Sequence, residues 1–126
     1  MAEWRGVVIA ESLTDPTLLN ACTVYRTYVS PPQPLDLTGT LGHWHLYWVR
    51  VAPATIDAIR AALVDGWWYA HFWNADRLRV VFADAEFEVA RDDPSTWEPA
   101  VAHGLAKGIP REWLDFPTDD STGTLE

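Results

Sequence analysis

The sequence predicts a single α+β domain in which two β-α-β units are followed by a C-terminal β-meander and a further helix. Three observations indicate this class. Short runs of β-branched and aromatic residues alternate with short helical patterns, and turn residues separate the runs near the C-terminus. The length of 126 residues is the usual size of one domain, so we expect residues 1–126 to share one core.

The first β-α-β unit is predicted over residues 5–29. The apolar run RGVVIA, residues 5–10, has the composition of a strand. Asp15 can cap a short helix that begins at Pro16, and TVYRTYV, residues 23–29, is the next strand. Residues 30–42 contain three prolines and two glycines, which predicts one long loop.

The second unit begins with a strand over residues 43–51, and a helix opening at Pro53 follows it. The apolar residues of this helix recur at helical spacing, and they are Ile56, Ile59 and Leu63. Gly66 ends the helix, and residues 67–73 form the next strand. The simplest topology with this order is the ferredoxin-like one, a split β-α-β arrangement on a mixed or antiparallel sheet.

The meander is predicted from two turns. Residues 67–73 pair with residues 77–83 across a two-residue turn, and a second turn at Asp84-Ala85 places Phe87 opposite Phe82. Both registers give one apolar core face: Tyr69, His71, Trp73, Leu78, Val80, Phe82, Phe87 and Val89.

The last third of the chain is predicted to add a helix and a docked segment. Ser95 and Glu98 form a capping box for a helix that Gly108 ends. The apolar residues 109–117 dock on the body of the protein, and the polar residues 118–126 form a frayed tail.

Composition narrows the possible partners. Eighteen acidic residues against nine basic ones give a net charge of −9, which repels nucleic acids and anionic membranes and leaves basic or neutral partners, or a role in solubility. Cys22 is the only cysteine, so no internal disulfide can form. The N-terminus has no secretory pattern and no eighteen apolar residues are consecutive, which predicts a cytoplasmic protein.

The face opposite the predicted core is unusually aromatic. If Arg50 marks the solvent side of its strand, that face carries Trp44, Trp48, Trp68, Phe72 and Arg79. Such a patch is seldom left exposed, so a second copy of the chain, a ligand, or residues 109–117 should cover it. The sequence therefore favours a non-enzymatic binding or protein-interaction module, acting as a homodimer or with a small-molecule or protein partner.

The alternative is a small enzyme that depends on a metal or on histidine. His43 and His45 share a strand face at about 7 Å and are candidate metal ligands, but the first strand separates them from His71. His71 itself is either an acid-base group or a neutral core histidine. Because nucleophile, phosphate-loop and dinucleotide motifs are absent from the sequence, we assign no catalytic residue and no cofactor.

The strings ESLTDPTLL, GWWYAHFWN and GIPREWLDFP resemble a set of small, functionally uncharacterised prokaryotic proteins. These proteins carry a Gly-Trp-Tyr-Ala-His-Phe-Trp-Asn motif before a hairpin and end near Gly-Ile-Pro and Leu-Asp-Phe-Pro. The resemblance covers residues 11–117, with Trp68 as an additional tryptophan and Trp113 in place of a polar residue. It implies a bacterial or archaeal cytoplasmic protein and assigns no chemistry.

Overall fold

A computed structural model of the chain describes residues 3–34, 41–64, 68–114 and 116. These residues form a six-stranded antiparallel sheet with two α-helices and several short 3₁₀ helices, which confirms the predicted α+β class. The main elements are β1 (Trp4–Ile9), β2 (Thr23–Pro34), β3 (Leu41–Val51), α1 (Pro53–Ala62), β4 (Tyr69–Asn74), β5 (Arg77–Phe82), β6 (Glu86–Ala90) and α2 (Glu98–Ala106). Within the described residues, no helix is long and apolar enough to cross a membrane.

The strands lie in the order β2-β3-β1-β4-β5-β6, so β1 stands between β3 and β4. The β-branched run of β1 suits this central place, because Val7 and Val8 are buried on opposite faces. Gly6 allows β4 to approach closely: a Cβ atom added there would lie 2.7 Å from the carbonyl oxygen of His71 and would also collide with the Phe72 ring.

One face of the sheet, called the α1 face, is covered by α1 and by the 3₁₀ helix Pro16–Ala21. Its core contains Trp4, Val8, Val49, Val51, Ile56, Ile59, Ala70, Phe72 and Val81. The predicted cap is confirmed, because the Asp15 carboxylate accepts the Thr17 backbone N–H at 3.2 Å. Helix α1 begins at Pro53 as predicted and ends earlier than predicted, because Leu63 has extended backbone with ψ of 134°.

The other face, called the α2 face, is covered by α2 and the residues that follow it. Its core contains Val7, Leu46, Trp48, Trp73, Leu78, Val80, Phe82, Ala100, Val101, Ile109, Leu114 and Phe116. The predicted capping box is wrong: the Asp93 carboxylate accepts the Ser95 backbone N–H at 3.1 Å, and the 3₁₀ helix Pro94–Trp97 precedes α2. Asp93 takes the cap because it stands directly before Pro94, which fixes the first turn.

The strands β4, β5 and β6 pair as two consecutive hairpins. Tyr69 lies opposite Phe82 on the face predicted for both, and Phe87 lies opposite Val80 instead of Phe82. The second turn uses residues 83 and 84, and the Phe82 N–H bonds to the carbonyl oxygen of Ala85 at 2.7 Å. A shift of two residues keeps every side chain on its predicted face, because side chains alternate with a period of two.

Strand β2 extends further than the sequence predicts. It continues through Pro34, which pairs with Leu41, with register shifts between Val24 and Arg26 and between Val29 and Pro32. The predicted loop over residues 30–42 is therefore wrong at both of its ends. An edge strand tolerates prolines because the missing N–H groups can face solvent. Gly66 and residues 117–126 lie outside the described residues, and so do the predictions made for them.

Candidate functional site

The residues predicted to share one exposed aromatic face lie on both sides of the sheet. Phe72 and its cross-strand neighbour Arg79 belong to the α1 face, where Phe72 is completely buried. Trp44 and Trp48 belong to the α2 face. The prediction of a single exposed aromatic patch is therefore wrong. Helix α1 covers the Phe72 side of the predicted patch, a cover that the sequence analysis does not include.

The wrong face assignment of β3 has a specific cause. The prediction assumes that Arg50 marks the solvent side of β3 and that Trp48 lies on that side with it. The Arg50 guanidinium instead lies over the Tyr25 ring at 5.0 Å, at the end of the packed α2 face. A long arginine can cover apolar surface with its stem while its charged group reaches solvent, so it does not define an exposed face.

Trp44 and Trp68 pack together within the protein. Their ring centroids are 5.4 Å apart in an edge-to-face arrangement, and Trp44 makes a similar contact with Trp113 at 5.3 Å. The Tyr69 hydroxyl donates a hydrogen bond to the carbonyl oxygen of Trp113. The chain's own C-terminal segment, one of the three covers predicted for the aromatic face, contacts Trp44 through Trp113.

The α2 face also carries a surface that combines arginines with aromatic rings. Four guanidinium groups lie over three rings: Arg26 over Trp48 at 4.8 Å, Arg50 and Arg5 over Tyr25 at 5.0 and 5.9 Å, and Arg91 over Trp73 at 5.9 Å. These seven residues are called the arginine–aromatic face. Such contacts are favourable because the negative face of an aromatic ring attracts a cation.

Strand register explains how this face forms. Arg5 lies directly opposite Arg50 on β3 and opposite Trp73 on β4, so one row across the sheet contains two adjacent arginines. Tyr25 stands at the register shift of β2, beside both guanidinium groups. Two like charges directly opposite each other destabilise a sheet in general. Here both guanidinium groups lie over one ring, which is a favourable contact for each of them.

Two arginines on the α1 face, Arg77 and Arg79, also lie over a ring, that of Trp4, at 5.0 and 5.5 Å, and both have carboxylate partners. Arg79 donates to Glu86 at 2.7 Å and pairs with Asp57 of α1 at 3.3 Å, and Arg77 lies 3.6 Å from Glu88. These carboxylates neutralise their arginines within the fold. By contrast, Arg50 forms no ion pair with any side chain in the described part of the protein.

A cleft of about 210 Å³ opens at one end of the arginine–aromatic face. Its lining residues are Glu3, Arg5, Trp73, Asn74, Ala75 and Arg91. Ala75 lies in the β4–β5 turn with a positive φ of 54°, and its carbonyl oxygen accepts a hydrogen bond from the Arg91 guanidinium at 3.1 Å. The turn therefore holds Arg91 beside Trp73.

The histidine pair is exposed, and each ring is held in place by its Nδ1 atom. His43 Nδ1 lies 2.7 Å from the Ser30 carbonyl oxygen on β2, and His45 Nδ1 lies 2.7 Å from the Glu11 carboxylate, which follows β1. Both partners only accept, so each Nδ1 carries the proton. The two rings are thus bonded toward opposite neighbouring strands. Among the residues that the structure describes, no three potential metal ligands lie close enough together to hold one ion.

His71 is buried on the α2 face, as the sequence predicts. Its ring stacks on Trp73 at 5.7 Å and contacts Tyr69 and Phe116 at 6.3 and 6.2 Å. It lies across the sheet from His43 and His45, with β1 between the two strands. The structure does not bring the three histidines together.

A fourth histidine joins α2 to the β5–β6 turn. His103 Nε2 and Lys107 Nζ each lie 2.9 Å from a different oxygen of Asp84, and the His103 ring packs 4.7 Å from Phe82. The hydrogen bonds from Lys107 and His103 lower the pKa of the Asp84 carboxyl from 3.8 to about 2. This cluster attaches the helix to the sheet.

This lowered pKa gives a pH prediction. A carboxyl whose folded pKa lies below its unfolded value stabilises the protein above the unfolded value, and this contribution is lost as the pH falls through the folded value. Wild type should therefore exceed Asp84→Asn in melting temperature at neutral pH. The difference should disappear as the pH falls from 3.8 to about 2. A difference that stays constant on acidification, measured by thermal melting, would contradict the role of Asp84.

A scan against protein-family models, a search of curated proteins and a search of solved structures each return no match. Function is therefore inferred from the chemistry of the site. The sequence analysis does not identify Arg5, Arg26, Arg91 or Tyr25 as candidate site residues. Tyr25 and Arg26 are neighbours on a strand, so alternation alone places them on opposite faces, and only the register shift of β2 brings both to the α2 face.

Proposed function

We propose that the protein is a non-enzymatic binding module that recognises an anionic ligand through the arginine–aromatic face. One observation carries the proposal: four of the nine basic residues gather over three aromatic rings on one face of a chain with a net charge of −9. A local positive surface on an acidic protein attracts anions to that surface and repels them elsewhere.

The opposed arginines support this role. Arg5 and Arg50 stand directly opposite each other on β1 and β3 and both contact Tyr25, a placement that departs from the general rule against like charges on opposite strands. Positions where a fold departs from its general rules are often functional. An anion bound beside the Tyr25 ring would accept hydrogen bonds from both guanidinium groups.

The side chains of the arginine–aromatic face are also positioned before a ligand binds. Each guanidinium has five N–H donors in a planar fork, and stacking on a ring restricts its side chain before a ligand arrives. Less conformational entropy is then lost on association. Of the aromatic patch predicted from sequence, only Trp48 belongs to this face, and the arginines are its contacting groups.

The proposal also includes a ferredoxin-like topology for the fold. The order β2-β3-β1-β4 with antiparallel pairing supports a ferredoxin-like core, and β5 and β6 extend it as a meander. The motifs GWWYAHFWN and GIPREWLDFP support membership of the small prokaryotic set described above. A cytoplasmic setting follows from that resemblance.

The test is a titration with citrate, followed by NMR through the arginine side-chain Nε–H signals at constant ionic strength. We expect saturable shifts of Arg26 and Arg50, and smaller effects on Arg77 and Arg79 of the α1 face. The variant Arg50→Gln should bind citrate about tenfold more weakly, because one charge-assisted hydrogen bond is lost.

Arg60→Gln is the matched control, since it removes the same charge from α1 on the opposite face. It should change the citrate affinity by less than about twofold, a screened long-range effect. If all arginine signals shift equally, or if the two variants weaken binding to the same extent, the arginine–aromatic face is not a binding site. The arginines would then serve only to cover the aromatic core.

A further inference from the structure

We propose that the C-terminal segment, residues 117–126, docks on the arginine–aromatic face of its own chain through the carboxylates of Asp119 and Asp120. This inference rests on the proposed anion-binding role of that face and adds a regulation of the same site. The segment acts as an internal competitor, because an external anion must displace it before binding.

The segment and the face carry opposite charges. The sequence PTDDSTGTLE of residues 117–126 contains three acidic side chains and no basic one. The face gathers four of the nine basic residues of the chain. Since the whole chain has a net charge of −9, most of its surface repels an acidic segment and this face attracts one.

The last described residue before the segment lies on the same side of the sheet as the arginine–aromatic face. Phe116 is 1% exposed in the core of the α2 face, with its ring centroid 6.2 Å from that of His71. His71 pairs with Val7 on β1, and Arg5 stands two residues away on that strand. The spacings of a sheet place Arg5 roughly 8 Å from His71. The segment therefore starts beside the arginine–aromatic face.

The two aspartates follow this buried phenylalanine at a suitable distance. Asp119 and Asp120 come three and four residues after it, and an extended chain of that length spans roughly 10 to 14 Å. The Arg5 and Arg50 guanidinium groups lie over the Tyr25 ring at 5.9 and 5.0 Å. The carboxylates can therefore reach the guanidinium groups around this ring.

The α1 face shows how this protein holds arginines that lie over a ring. Arg77 and Arg79 each have a carboxylate partner, at 3.6 and 2.7 Å. Arg50 also lies over a ring, but it forms no ion pair with any side chain in the described part of the protein. A planar guanidinium matches the two oxygens of a carboxylate, so the docked aspartates supply the same kind of partner.

The experiment compares the full chain with a double variant, Asp119→Asn with Asp120→Asn, which keeps the size of both side chains and removes their charges. We expect the Nε–H signals of Arg5 and Arg50 to shift in the NMR spectrum of the double variant, and those of the α1-face arginines to stay unchanged. A short tether gives the segment an effective concentration on the order of millimolar, so the double variant should bind citrate about threefold more tightly.

Asp57→Asn with Glu88→Gln is the matched control, because it removes two exposed carboxylates from the α1 face. It should leave the Arg5 and Arg50 signals in place and change the citrate affinity by less than about twofold. If the two double variants have equal effects, the segment acts only through its long-range charge, and the docking is overturned.

Light scattering separates docking within one chain from docking between two copies. A wild-type mass of one chain, together with the expected signal shifts in the double variant, supports docking within the chain. A wild-type mass of two chains that falls to one in the double variant would overturn it, because the segment would then lie on a second copy.

The outcomes also separate this inference from the proposed function. Signal shifts in the double variant without citrate binding to either protein would support the docking and overturn the external anion as ligand. Citrate binding that is equal in wild type and the double variant, without signal shifts between them, would overturn the docking and leave the proposed function intact. Neither shifts nor citrate binding would overturn both.

Discussion

Replacing Phe82 with alanine is expected to lower the free energy of unfolding by roughly 3 to 5 kcal/mol, the usual cost of truncating a buried aromatic residue. Phe82 is completely buried and lies at the centre of the α2 face. Its ring contacts Tyr69 at 5.8 Å, Phe87 at 6.1 Å and His103 at 4.7 Å. Removing it leaves a cavity between β5 and α2 that rigid neighbours cannot fill.

Chemical denaturation of Phe82→Ala gives the measurement. Phe87→Ala is the matched control, because Phe87 is a phenylalanine of the same hairpin that is only partly buried. It should cost clearly less than Phe82→Ala. A loss below about 1 kcal/mol for Phe82→Ala would mean that the α2 face is not the principal core.

Replacing Trp68 with glutamate is expected to destabilise the protein by roughly 3 to 5 kcal/mol without changing its mass in solution. Trp68 is 7% exposed and packs on Trp44, which in turn contacts Trp113. A carboxylate at this place would lose its hydration among aromatic rings of the same chain. The cost therefore opposes folding and not association.

Thermal melting and light scattering of Trp68→Glu test this expectation together, with Trp68→Phe as the control that keeps an aromatic ring. Trp68→Phe should melt within a few degrees of wild type, since a related apolar group remains. A lower mass with an unchanged melting temperature would contradict the intrachain packing. That result would instead indicate that Trp68 holds a dimer together.

Local sequence patterns were enough to predict several elements. The Asp15 cap, the start of α1 at Pro53 and the common face of Tyr69, Trp73 and Phe82 were all predicted correctly. Each depends on neighbouring residues: a side chain that reaches its own backbone, a proline with a fixed φ, or the alternation of a strand. Such signals lie within a few residues of each other, so a register error of two positions does not change the predictions made from them.

The candidate site depends on contacts that no local pattern contains. Arg5 reaches Tyr25, Arg26 covers Trp48, and Arg91 returns to Trp73 from the far end of the meander. The strand order and the register shifts of β2 decide these pairs. The face of Arg50 was predicted wrongly for the same reason, because the ring beneath its guanidinium group belongs to another strand.

The sequence by itself determined which side chains of the regular strands β4 and β5 share a face, since alternation is a property of the strand. Only the tertiary structure decided what covers each face: α1 over Phe72, and α2 with Leu114 and Phe116 over Phe82. The physical reason is that apolar burial has no direction and does not specify a partner. Any apolar element of suitable length could have covered either face, and the connections of the complete sheet select between them.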